Sequence, residues 1–535
     1  MRQKAWILAL VILALAPSAW LAWRYRAMTH LGYYHDDTLY WVSAQSLAQG
    51  HGYRIASLPG EPFQTKYPPL YPALLALVWK TVPNFPGNLP LAALVSWLLV
   101  PLYIAMIWVF LREYGFKDRE LGFLTIAAAL SPMTALFGVT LMPELLFMVL
   151  LLSSIVLAER AEQSPEAWRL AVAAGICGGL AYLSKSIAMP LLFTAPFCFG
   201  LRKQWRNAAL FFAAMAPCVA GWQLWVAAHM SKSWDLVTLY YTNYVGMQFY
   251  NVPLRDLPLY IFHNIDGFLM GGGKVLIFDM PFGSIHLERV LTVAAIVGCV
   301  RLARRNRKLQ YPLVGAGMTA ILLVWHYPPD QRFVFPLYPL LLAGLWTELA
   351  NVWKALRASL QKPAQSDRVA ARVGAAVFAV LALFVAFTNF YGLFAFVPGV
   401  FAVHGADFEA RLPAYEWIAT HAPQNAAVFA YDDPLLYLYT GRKSCGMPIP
   451  TKFSYHGDDA GLDRLLHTIP DFARQYRLDY VLLTINDFYR DLGDNGAKHL
   501  RESVESSGAF TPSYRAGVAS IYRYTGGDNS QVAVR

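Results

Sequence analysis

Apolar stretches of about 20 residues, the length that crosses a bilayer as a helix, recur along this 535-residue chain from near its start to about residue 396. With 56% of its residues hydrophobic and only 15% charged, the chain is too apolar for a water-soluble enzyme and is expected to be a polytopic α-helical membrane protein. Eleven spans are expected, near 5–23, 89–111, 120–141, 143–159, 170–187, 188–201, 207–229, 287–303, 311–327, 333–352 and 373–396. The 188–201 span is short and bounded by Pro190, so it and its predecessor also fit a broken or re-entrant pair. The first span is taken as an uncleaved helix: no clean small-residue cleavage site follows it, and Trp20, Trp23, Arg24 and Arg26 do.

The basic residues set the orientation. Arg2 and Lys4, Arg112 to Arg119, Arg160 and Arg169, Arg202 to Arg206, Arg301 to Lys308, and Lys354 to Arg372 all fall on one side of the expected spans, which the positive-inside rule makes cytoplasmic. The net charge of +10 is therefore a topological signal with no basic face for nucleic acid. The N-terminus is then cytoplasmic in a multi-pass protein of the cell (inner or plasma) membrane. The first loop, 24–88, the long loop 230–286 and the tail are extracytoplasmic. Cys177, Cys198, Cys218 and Cys299 lie in apolar spans and Cys445 alone in a polar region, which indicates neither a disulfide framework nor a cysteine metal site.

Chemistry has few places to reside in such a chain. The first loop holds HDDTLYWVSAQSLAQG, in which Asp36 and Asp37 precede a short helix expected to be amphipathic, to end at Gly50 and to lie along the surface. Acidic groups next to hydrocarbon are disfavoured unless paired or functional. Each aspartate fits two roles, capping the free amides of that helix or serving as a general base, and one can cap while the other acts. Glu144, behind Pro143 at an expected outer helix end, carries the same pair of readings. Three cations are expected on the same face: Lys66 before YPPLYP, Lys185 in GGLAYLSKS, and Arg332 opening the tenth span. Snorkelling and interfacial anchoring are the competing explanations for them. His35, His263 and His326 share that side without metal-ligand spacing and are taken as ordinary polar residues.

From about residue 397 charged residues return between short apolar runs. AAVFAYDD, LDYVLLTIND and ASIYRYT are expected as strands, RLPAYEWIATHAP and GLDRLLHTIPDFARQY as helices. The expected division is thus a membrane domain, 1–396, and a soluble extracytoplasmic α/β domain, 397–535, that covers the site or binds an acceptor. Asp432-Asp433 and Asp458-Asp459 are expected as solvated turn residues.

The double aspartate, the YW..A.SLA.G.GY pattern and YPPLYP closure, then PELLF, GGLAYLSKS and RFVFPLYPLLL in that order, resemble the GT-C class of integral-membrane glycosyltransferases. Bacterial protein O-mannosyltransferases and aminoarabinose-transferase-like proteins are the most similar in pattern, over residues 5–400. The resemblance implies transfer of a hexosyl or pentosyl group from a polyprenyl-phosphate carrier to a lipid, glycan or protein acceptor at the outer face. It implies inversion at the anomeric carbon and a catalytic base at Asp36 or Asp37; the sequence itself indicates no metal-ligand residues and no cofactor. Relatives often carry lysine immediately before the two prolines, where this chain has Tyr67 with Lys66 one residue earlier. Inverting displacement needs a base on the acceptor side, and a departing phosphate needs cations rather than a general acid. A transporter or lipid flippase with an outer binding domain, or a membrane-anchored sensing protein, are the rival classes. Neither an inverted repeat nor matched broken helices support a carrier.

Overall fold

The computed structural model describes residues 2–278, 286–361, 365–488 and 496–526. The chain forms two compact units that alternate along the sequence: Met1–Arg26, Ala93–Gln223 and Pro258–Val400 make the first, and Ala27–Ala92, Leu224–Leu257 and Phe401–Arg535 the second.

Every expected span falls on a helix. By length and composition, five helices among the described residues are suited to crossing a bilayer: Ala5–Arg24, Leu89–Glu113, Trp205–His229, Gln331–Leu360 and Val369–His421. A sixth is added if Asp118–Ala129 and Pro132–Val139, bent by 48° at Leu130-Ser131, count as one broken span. Trp168–Ser184, Ser186–Leu201 and Gln310–Val324 are apolar but shorter.

The segment 230–286 departs from its expectation as a long loop. It contains helices over Leu236–Thr242, Tyr244–Asn251 and, for 21 residues, Leu257–Ile277; residues 279–285 lie outside the described residues. Asn264, Asp266 and three consecutive glycines interrupt the apolar run, yet each has a structural use. Asn264 donates to the carbonyls of Leu322 and Trp325 at 3.2 and 2.8 Å, and Asp266 takes a two-point bond from Arg289 at 2.6 and 2.8 Å. Gly271 lets this helix approach the Pro329-Asp330 backbone so closely that a Cβ would sit 2.8 Å from the Pro329 carbonyl oxygen, the small-residue packing common between membrane helices.

In the second unit, the helix over Asp36–Ala48 is buried along Asp37 to Ala44, so the expected surface-lying amphipathic helix is corrected. The hydroxyls of its Thr38, Ser43 and Ser46 find partners nearby, which permits their burial. Thr38 donates to the His35 carbonyl at 2.6 Å, Ser46 to that of Gly52 at 2.8 Å, and Ser43 accepts from Gln64 at 3.3 Å. Trp41 and Tyr40 pack against Trp79 and Tyr71 of the proline-initiated helix Leu70–Thr81, with ring centroids 4.9 and 5.5 Å apart.

The second unit also carries a five-stranded sheet: β1 (Ala427–Phe429), β2 (Lys443–Cys445), β3 (Tyr480–Thr484), β4 (Phe510–Ala516) and β5 (Ala519–Tyr524), in the order β2-β1-β3-β5-β4. β1 runs parallel to β2 and β3, while β5 is antiparallel to β3 and β4. Of AAVFAYDD only three residues are strand, because Asp433-Pro434 starts a helix over Asp433–Thr440. β2 is too short to announce itself, and β4 is masked in the sequence by Pro512 beside a bulge. A continuous helix runs from Gln365 through a π-turn at Gly392–Phe396 to His421, across the change in composition near residue 397.

Candidate active site

Two constellations of charged residues stand out, one in each unit. In the second unit the chain turns sharply before the Asp36–Ala48 helix. Gly32 has φ +97°, which favours glycine, and its amide donates to Asp37 Oδ2 at 3.1 Å. The Thr38 amide donates to Asp37 Oδ1 at 2.8 Å. With both oxygens occupied and the residue only 1% exposed, Asp37 ties the turn together. Burial pushes its carboxyl up to about 6, although those two amide bonds oppose the rise.

Asp36 has a different environment. It is half-buried, and its Oδ1 accepts a short hydrogen bond from the Tyr67 hydroxyl. Burial, followed by the Asp36 charge, holds the Tyr67 phenol well above its ordinary range, so Tyr67 remains a donor. Lys66 places its ammonium 4.1 Å from the Tyr240 ring centroid and 5.1 Å from that of Tyr67, a cation–π arrangement. The two aspartates thus differ in setting, Asp37 buried and Asp36 half-buried.

Behind this turn lies His35, at φ +58°. Its Nε2 is 3.0 Å from Asp433 Oδ1, which also accepts from the Tyr241 hydroxyl at 2.8 Å. Burial raises the Asp433 carboxyl, and the His35 contact is the largest effect opposing that rise. The expectation that Asp432-Asp433 are solvated turn residues is corrected: both are buried, and Asp432 pairs with Arg411, which lies 3.4 Å from Asp487. Position in the fold explains this, since both follow β1 directly into a buried helix start. Asp458 does act locally, capping a helix through Gly461 at 2.8 Å, and Asp459 is exposed. Among the described residues no group of three or more His, Cys, Asp or Glu is placed to hold a metal ion.

In the first unit, Glu144 opens the helix Glu144–Ala161 and is fully buried. Its Oε1 accepts from Lys185 Nζ at 2.9 Å and from Arg332 Nε at 3.0 Å, while its Oε2 is buried with no hydrogen-bond partner. Lys185 sits in extended conformation where the helix Trp168–Ser184 gives way to a 3₁₀ turn. Arg332 is held by a short helix whose cap is Asp330, accepting from the amides of Arg332 and Phe333 at 2.9 and 3.1 Å. Two cations meet one carboxylate, and the Asp330 side chain caps the segment that carries Arg332. Of the three expected phosphate ligands, the structure brings Lys185 and Arg332 together on Glu144; Lys66 belongs to the other unit.

No protein-family model matches the sequence, and no curated protein matches it. Solved structures do match. The oligosaccharyltransferase AglB of Archaeoglobus fulgidus, in complex with an inhibitory peptide and a dolichol-phosphate, aligns with a TM-score of 0.53 and 12% identity over 98% of this chain and 74% of that one. ArnT of Cupriavidus metallidurans in its apo state aligns with a TM-score of 0.52 and 13% identity over 98% of both chains. The chain has the GT-C fold. At these identities the likeness is one of architecture, and the GT-C chain's site rests on its own residues. The sequence carries no catalytic signal at His35, Tyr241 or Asp433, and Tyr67 differs from the pattern only in standing before the two prolines.

Asp37 yields a pH test. Its folded value near 6 lies above the ordinary 3.8, so its contribution to stability is full below about pH 4 and is lost as pH rises through about 6. The difference is on the order of 2–3 kcal/mol. The melting temperature of the parent relative to Asp37→Asn is expected to fall between about pH 4 and 7. A difference that is flat or rising across that window contradicts an enclosed Asp37.

Proposed function

We propose that this chain is a glycosyltransferase that moves a sugar from a polyprenyl-phosphate carrier to a lipid, glycan or protein acceptor at the outer membrane face, with inversion. The observation that carries the reading is the division between the two aspartates. Asp37 is spent on the turn, whereas Asp36 is half-buried with the Tyr67 hydroxyl donating to it. In the proposed step Asp36 takes the proton of the acceptor hydroxyl. The acceptor oxygen then bonds to the anomeric carbon as the bond to the carrier phosphate breaks on the opposite face of the sugar.

The leaving phosphate is proposed to be held by Lys185 and Arg332. Glu144 orients both and prevents the cations from dispersing, and two converging cations suit an anion whose charge grows on departure. Lys66 is assigned to the donor through its place beside Tyr67. That AglB is recorded with a dolichol-phosphate supports a lipid-phosphate ligand for this fold. No nucleotide loop is needed, and the isoprenoid tail has apolar helices to lie against. The proposed topology has eleven crossings, a cytoplasmic N-terminus and an extracytoplasmic α/β domain over 397–535.

Cysteines introduced at exposed His51 and Ser506 in a cysteine-free background are expected to react with an impermeant reagent from outside, and one at exposed Lys203 only after lysis. His51 and Ser506 labelling from opposite sides contradicts this topology. Mass spectrometry of outer-face glycolipids and glycoproteins from cells with and without the protein is expected to reveal a sugar-bearing species that depends on it. Identical profiles contradict the transferase reading.

A further inference from the structure

The half-buried contact between His35 and Asp433 joins residues 398 positions apart and lies immediately before the proposed base. Its position in the fold is specific. In the sheet order β2-β1-β3 the chain passes from β1 to β2 on one side, then returns to β3 on the other. The carboxyl ends of β1 and β3 therefore flank a topological switch point, the place where open α/β sheets bind their ligands. Asp432 and Asp433 follow β1 there, and Asp487 follows β3. Arg411 occupies Asp432 and Asp487. Asp433 is left to receive His35 and Tyr241. The ligand of this switch point is thus a side chain from the first loop of the same chain.

His35 is suited to transmit that grip. A non-glycine residue at φ +58° and ψ −44° is held in a sparsely populated conformation, which persists only when surrounding contacts impose it. Three contacts do so here: the His35 amide donates to the Gly32 carbonyl at 2.9 Å, its carbonyl accepts from the Thr38 hydroxyl at 2.6 Å, and its ring meets Asp433. Asp433 is fully buried, and its Oδ1 meets the His35 ring, while His35 Nδ1 and Asp433 Oδ2 are buried with no hydrogen-bond partner. Because Asp36 is the next residue, the orientation of its carboxylate towards Tyr67 depends on the backbone direction that leaves His35.

We propose that His35 and Asp433 are positioning residues, that they fix the turn presenting Asp36, and that the C-terminal sheet is thereby a working part of the transfer site. This rests on the reading of Asp36 as the base and replaces the expected role of the sheet region as a cover or acceptor module. Tyr241, by sharing Asp433 Oδ1, keeps the carboxylate turned towards His35.

The test uses the full-length purified protein added to membranes from cells lacking it, titrated with the lipid-linked sugar fraction extracted from those membranes. The rate of formation of the protein-dependent glycosylated species is followed well below each variant's melting temperature. His35→Asn suits a positive φ but is too short to reach Asp433, and Asp433→Ala removes the acceptor. Each is expected to lower the maximal rate roughly 10–100-fold, the scale of a small misplacement of a reacting group, with half-saturation by donor unchanged. The double variant is expected to be no slower than the slower single one, because both break the same contact. Asp433→Asn, which keeps one acceptor oxygen, is expected to recover part of the rate. Full rates in His35→Asn and Asp433→Ala, or losses that multiply in the double variant, overturn the inference, as do losses in half-saturation alone. Asp36→Asn is run alongside. If it retains the parent rate, the base assignment fails; if it loses the rate while the His35 and Asp433 variants keep theirs, only the positioning inference fails.

Discussion

A charge enclosed in an apolar chain must be neutralised by partners the chain itself supplies, because neither lipid nor a dry interior provides solvation. Most of what is distinctive in this structure follows from that demand. Glu144 is neutralised by Lys185 and Arg332 drawn from two other segments. Glu113 and Glu159 share Lys308, with the Tyr114 hydroxyl donating to Glu159 at 2.7 Å. Arg411 is enclosed by Asp432 and Asp487. Each such cluster pins segments that apolar packing alone leaves free to slide, so buried charge here specifies arrangement more than it adds stability.

The same demand separates the adjacent aspartates. A carboxylate that accepts two backbone amides and is sealed from water is a structural element whose ionisation is opposed. A half-buried neighbour that accepts from the Tyr67 hydroxyl is in a different setting. Asp37 and Asp36 differ by one position on a helix start, which turns their side chains about 100° apart. That rotation is enough to send one into the turn and the other towards Tyr67. The turn itself is set by Gly32, at a φ open to glycine, and by His35, at a φ that requires support.

How much of this was legible in the sequence depended on how far each residue's partner lay along the chain. Asp36, Asp37, Glu144, Lys185 and Arg332 stand out because charges are rare among apolar spans, and an ordered set of short motifs sufficed to suggest the GT-C fold. His35, Tyr241 and Asp433 carried no such signal: Asp433 meets its partners across 192 and 398 positions, and an Asp-Asp-Pro sequence ordinarily marks an exposed turn. The helix Leu257–Ile277 was hidden because glycines and polar residues that serve helix packing look like loop composition when read locally. The buried Asp36–Ala48 helix was mistaken for a surface one because serine and threonine count as polar, whereas in place their hydroxyls bond to nearby carbonyls and side chains.

The central claim is a division of labour, with Asp36 acting on the acceptor and Lys185 with Arg332 on the donor phosphate. The most direct measurement is donor binding and transfer determined together on the same purified variants. The account predicts that Asp36→Asn binds donor like the parent while transfer falls by roughly 10² or more, and that Lys185→Ala weakens donor binding by about 1.5–3 kcal/mol. Donor binding lost in Asp36→Asn, or parental binding and transfer in Lys185→Ala, would contradict it.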